Sequence, residues 1–194
     1  LKPEATCTAN RFITLETCVN SIRDDATALI ATPGTRYDYG SVHLQVAARM
    51  AEVVAGQPWN AIFDQQLRIP LGLPADVTYY TAPRNLLGTT NPLPAGGLVI
   101  SSNEYAKVLA LSFHRGTYQG VTYASPALFD AQIIEPYPGV TIGNSPLASI
   151  GYPSVHYGLT AWLECTTPAT GCTTASSPGA FGFTEEEAKL RAED

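Results

Sequence analysis

Two tyrosines stand two residues apart in the stretch ATPGTRYDYGSVHLQVAARM, Ala31 to Met50, directly before a strongly helical run. A phenol with a pKa near 10 is a poor base unless a neighbouring cation lowers it. Tyr37 or Tyr39 could therefore move a proton only in company; otherwise each is a packed aromatic at a helix start. No Gly-x-Ser-x-Gly elbow occurs, and the GNSPL stretch around Ser145 reads as a loop. Ser41 and His43 would diverge on a helix, because residues i and i+2 do not share a face. His114 falls near a helix end, where its helix's dipole favours a cation, and His156 falls at a strand start; both read as structural.

The cysteines are Cys7, Cys18, Cys165 and Cys172. They form no Cys-x-x-Cys pair and no histidine lies at ligand spacing from them, so no metal is expected. Four cysteines allow three pairings. The local pairs Cys7–Cys18 and Cys165–Cys172 each close a short loop and are the expected bridges, and with them an exported protein, periplasmic or extracellular. Four reduced, partly buried thiols are the alternative.

These groups must be positioned by a mostly helical chain of 194 residues, the size of one ordinary domain. Leu15, Cys18, Val19 and Ile22 share one face of a first helix. In the second, Ser41 is expected at the N-cap, Gly56 at the stop, and Leu44, Ala47, Met50, Val53 and Val54 along the inward stripe. A third follows with Pro58 in its first turn, Trp59, Ile62 and Phe63 inward, and Pro70 as its end. Residues 71–97 read as irregular, and a segment of that length is functional or laid against something. Ser101 and Glu104 have capping-box spacing before a fourth helix closed by Gly116; Ser125 and Pro126 open a fifth. HYGLTAWLEC and then SSPGAFGF read as strands, so β structure is expected only near the C-terminal end. The fold class is mainly α with a small β part. Residues 184–194 form a charged, helix-prone acidic tail distinct from the 1–183 domain.

A net charge of −6 without a basic stripe argues against nucleic acid, and no apolar run approaches the ~20 residues of a membrane helix.

Four landmarks in order resemble the serine β-lactamase-like hydrolases: class C β-lactamases, related penicillin-binding proteins and family VIII-type esterases. They are PGTRYDYGSVHLQVAARMAEVVAGQPW, LRIPLGL, PAGGLVISSNEYAKVLAL and HYGLTAW. The resemblance implies a partial β-lactamase/transpeptidase-like fold, chiefly the helical region and the first strands after it. It implies that Tyr39 is the catalytic tyrosine of the family's Tyr-x-Asn motif, and that Tyr37 packs. Ser41 stands where the family usually has asparagine; it cannot present an amide to a substrate, so helix capping is its better role, with substrate contact the alternative. Ser177, Pro178 and Gly179 stand at the family's third motif, where Ser177 replaces a cation. That favours an ester over a β-lactam with its acid group. Ala180 is implied as an oxyanion-hole donor.

The family's nucleophile motif, Ser-x-x-Lys, does not occur in these 194 residues: Glu104 and Glu186 precede Lys107 and Lys189 by three. The expectation is a truncated member that is inactive alone. Its implied substrate is a small ester or amide, with no cofactor, and its implied partner is a second copy or a complementing fragment. A non-catalytic binding or scaffold module that reuses the helical domain is the rival expectation.

Overall fold

The computed structural model describes residues 1–81, 88–132, 134–136, 139–146, 156–159, 161–163 and 178–179. The chain divides into two compact units, Leu1–Ile100 and Ser101–Asp194.

In the first unit, a 3-10 turn at Thr6–Ala9 leads to α1, Leu15–Asp24. The oxygen of Thr14 accepts the Thr17 N–H at 3.0 Å and satisfies one of the donors a helix start leaves open. Leu15, Cys18 and Ile22 are buried, as their spacing predicts. A three-residue strand β1, Arg36–Asp38, precedes α2, Val42–Ala55. Gly56 ends α2 in the left-handed conformation and returns its N–H to the Glu52 carbonyl. Then come α3, Trp59–Phe63, and a single π-helical turn, Asp64–Arg68, in place of one continuous helix. Phe63 is buried while Trp59 and Ile62 are half-buried.

The inward face of α2 differs from the expected stripe. Val42, Gln45, Ala48 and Glu52 are buried, whereas Met50, Val53 and Val54 are 64%, 65% and 89% exposed. Each buried polar residue has a specific partner, and those partners fix the helix rotation. Glu52 accepts the Trp59 N–H at 2.9 Å, capping α3, and pairs with Arg49, which reaches on to Glu16 of α1. The apolar centre is Cys18, Ile22, Ala28 and Val42, with Ala5, Cys7, Ile13 and Val46 packed against it.

Residues 71–97 are pinned rather than loose at both ends. Leu71, Leu73, Val77 and Tyr80 are buried. Strand β2, Thr78–Tyr79, pairs antiparallel with β3, Leu98–Val99. Strands of two or three residues are too short to show an alternating pattern, so β structure begins well before the C-terminal end where it was expected. At Gly97 the backbone passes so close to the Tyr80 and Leu93 carbonyls that a Cβ would overlap them.

The second unit opens with α4, Ser102–Phe113, whose Ser101 oxygen accepts the Glu104 N–H as the spacing predicts. Glu104 itself pairs with Lys107 at 2.6 Å. His114 holds the C-cap position and is exposed. A hairpin not foreseen in the sequence follows, β4 (Thr117–Tyr118) with β5 (Val121–Thr122); Gln119 and Gly120 turn it with positive φ. After it lie α5, Pro126–Gln132, and β6, Thr141–Asn144. The HYGLTAWLEC stretch is a hairpin and not one strand: β7, His156–Tyr157, pairs with β8, Trp162–Leu163, and Gly158 donates to the Ala161 carbonyl across the turn. A strand β9, Pro178–Gly179, pairs with the other edge of β8. Trp162 and Leu163 are buried, and Tyr157 meets the Trp162 ring edge-on at 4.8 Å.

Candidate functional site

Tyr39 lies between β1 and α2 and is half-buried. On its N-terminal side, Arg36 grips Asp38 with two parallel hydrogen bonds of 2.7 and 2.8 Å, closing one face of β1. The pair raises the guanidinium pKa of Arg36 through those bonds. Tyr37 sits half-buried between the two.

On its C-terminal side, Gly40 is buried with its Cα against the Pro3 backbone, and a Cβ there would overlap the Pro3 carbonyl. That same carbonyl accepts the N–H groups of Ser41 and Val42 at 2.9 and 3.4 Å. The open donors at the start of α2 are thus met by a carbonyl from far along the chain. Ser41 occupies the N-cap position, but its side chain makes no cap hydrogen bond. Its backbone is helical there, φ −87° and ψ −23°, instead of the extended conformation that aims a cap side chain at the helix start. The hydroxyl donates instead to Glu4 at 2.8 Å. The expectation of a capping side chain at Ser41 is therefore corrected. His43, two residues on, is held below its ordinary pKa chiefly by burial.

A buried amide pair stands behind this turn. The Gln45 amide donates to Asn91 Oδ1 at 2.8 Å and to the Pro92 carbonyl at 3.0 Å. Asn91 donates in turn to the Cys7 and Asn10 carbonyls at 2.8 and 2.9 Å. Both side chains are fully buried. The Cys7–Cys18 disulfide is present, as expected, and closes the loop that receives those bonds. Sequence reading passed over Pro3, Glu4, Gln45 and Asn91 as site-forming residues. Their contacts reach 37 to 84 residues along the chain, and no local pattern encodes such pairings.

Of the third-motif residues, Gly179 lies in β9, opposite Trp162. Ser177 and Ala180 lie outside the described residues, as do Cys165, Cys172 and the 184–194 tail. Among the described residues, no group of three His, Cys, Asp or Glu side chains is placed to hold a metal, and no helix is long and apolar enough to cross a membrane.

Neither a protein-family model nor a curated protein matches the chain. Solved structures do. The chain superposes on the "putative beta-lactamase from Bacteroides dorei DSM 17855" with a TM-score of 0.67 and 26% identity, over 86% of this chain and 48% of that one. The chain carries part of a β-lactamase-like fold. An octameric penicillin-binding protein homologue from Pyrococcus abyssi gives a TM-score of 0.54 at 18% identity, over 78% of this chain and 35% of that one. The β-lactamase-like segment thus spans about half or less of the solved chains it matches. The second likeness shows the fold alone; the first supports a relationship to the serine hydrolases of this fold.

Proposed function

We propose that the chain is the mainly helical segment of a β-lactamase-like serine hydrolase that cleaves esters or amides through an acyl-enzyme. The observation that carries this reading is the likeness to the Bacteroides dorei protein, extending over 86% of the chain. In the reaction, a serine Oγ adds to the substrate carbonyl and its proton passes to a base. Collapse of the tetrahedral intermediate expels the leaving group, which takes the proton back, and water then hydrolyses the acyl-enzyme. Tyr39 is this segment's acid/base group. A lysine from a Ser-x-x-Lys motif supplies the positive charge that lowers the phenol's pKa, and the motif's serine is the nucleophile. The 194 residues contain no such motif, so the isolated segment is inactive, and turnover requires a polypeptide that supplies it.

Ser177, Gly179 and Ala180 line the substrate side of the site on this reading, with Ala180 donating a backbone N–H to the oxyanion. A serine at position 177 gives no cation for a substrate carboxylate, which favours neutral esters over β-lactams. The Cys7–Cys18 bridge supports an oxidising, exported setting. Hydrolysis of p-nitrophenyl esters and of nitrocefin tests the reading. The isolated segment should turn over neither. The segment completed with a Ser-x-x-Lys-bearing polypeptide should cleave the ester in preference to nitrocefin, and Tyr39→Phe should lower its kcat at least a hundredfold. Turnover by the isolated segment that is lost in Tyr39→Phe, or full activity of Tyr39→Phe in the completed enzyme, contradicts it.

A second reading is favoured by the exposed Met50, Val53 and Val54 on α2: a non-catalytic module that presents this apolar face to another protein. It requires partner binding that is indifferent to Tyr39→Phe.

A further inference from the structure

The N-terminal segment is a strap fastened at two points. At one end, the Lys2 backbone N–H donates to the Ala28 carbonyl at 2.7 Å, and the Lys2 ammonium pairs with Asp25 at 3.1 Å and also reaches Thr27. At the other, Cys7 is bonded to Cys18, in the middle of α1, and the Cys7 carbonyl is held by Asn91. Between those fastenings, Pro3 and Glu4 contact the C-terminal side of the Tyr39 turn at the Cα of Gly40, the N–H groups of Ser41 and Val42, and the hydroxyl of Ser41. A helix start whose first donors were met only by water would fray.

We propose that Pro3 and Glu4 are positioning residues for Tyr39, acting through Gly40 and Ser41. The Pro3 carbonyl sets the point at which α2 begins. The Glu4 carboxylate takes the Ser41 hydroxyl out of play as a substrate contact and turns it into a strut. Ser41 therefore serves the tyrosine's placement rather than the substrate. This assignment rests on the reading of Tyr39 as the reacting group for its functional meaning, but the geometry can be tested without turnover.

The test uses the isolated chain with 13Cζ-labelled tyrosine, the Tyr39 resonance being assigned by its absence in Tyr39→Phe. Amide exchange is read at Ser41 and Val42. Glu4→Ala and Ser41→Ala should shift the Tyr39 resonance. They should speed exchange at those two amides by about tenfold, the scale of losing one hydrogen bond. Exchange in α4 should stay unchanged. Glu4→Gln keeps an acceptor oxygen and should restore the wild-type resonance, which separates the hydrogen bond from a general effect of charge. An unchanged Tyr39 resonance in both alanine variants overturns the proposal, and so does a Glu4→Gln spectrum matching that of Glu4→Ala. If Glu4→Ala unfolds the unit, Glu4→Gln and Ser41→Ala, which disturb less, decide the matter by the same criteria. Hydrolysis by the completed enzyme is scored separately. Its loss in Tyr39→Phe bears on the function, whereas the resonance shift bears only on the strap.

Discussion

The two faces of α2 differ in a way that hydrophobicity does not anticipate. The inward face carries a glutamine and a glutamate among its four buried residues, and the outward face carries a methionine and two valines. Burying Gln45 and Glu52 would be costly if they were unpaired. It is tolerated because Gln45 meets Asn91 and the Pro92 carbonyl, and Glu52 meets Arg49 and the Trp59 N–H. The comparison teaches that this helix is oriented by directional bonds to the 91–92 segment, to α3 and, through Arg49, to α1, with the apolar area of Val42 and Ala48 filling in around them. It also leaves Met50, Val53 and Val54 exposed on the outer face.

The difference between the faces can be broken most severely at Asn91. Asn91→Ala removes the acceptor of Gln45 and the donor to Cys7 and Asn10, leaving buried groups unsatisfied. It should cost about 3 kcal/mol or more in urea unfolding. A cost below about 1 kcal/mol would show that the inward face is held by its apolar residues alone. Glu52→Ala strips the cap from α3 and leaves Arg49 with Glu16 only, and should cost about 1–2 kcal/mol by the same measurement.

Acid should loosen the strap beside this face. Hydrogen bonds from Thr27 and then Lys2 lower the Asp25 pKa from 3.8 to about 2. Because the folded value is the depressed one, the stabilisation is present above about pH 4 and is lost as pH falls through about 2. The Lys2 amide, followed by exchange, should lose protection across that window, and Asp25→Asn should abolish the transition. The smallest effect is expected outside: Val54→Ser, at 89% exposure, should leave stability within about 0.5 kcal/mol. A larger loss would mean that the outer face is covered in the isolated chain.

Legibility from sequence followed the reach of the interactions. α1 was readable from the spacing of Leu15, Cys18 and Ile22, and α4 because its cap, Ser101, acts on a residue three positions away. Gly56 and the Cys7–Cys18 bridge were readable for similar reasons. The rotation of α2 was misread because Gln45 and Glu52 look like surface residues until Asn91 and Trp59 are in place. The Ser41 cap was misread because a serine before a helix predicts capping, whereas its backbone is helical and its hydroxyl is taken by Glu4, 37 residues away in the chain. The β4–β5 hairpin was missed because Gln-Gly is a weaker turn signal than Asn-Gly. The position of Tyr39 beside a helix start was legible, but the strap that holds it there was not.

The close approach at Gly97 has a consequence for engineering the chain. Tyr80 donates to the Gly97 carbonyl at 2.8 Å, Leu93 donates to the Tyr80 carbonyl at 2.9 Å, and Gly97 donates to the Leu93 carbonyl at 2.7 Å. These three bonds form a closed backbone triangle that pins the neck of everything between Tyr80 and Leu93. Gly97→Ala would open the neck itself, because a methyl group there has no room. The triangle thus makes Gly97 a position that any redesign of the neighbouring sequence must keep.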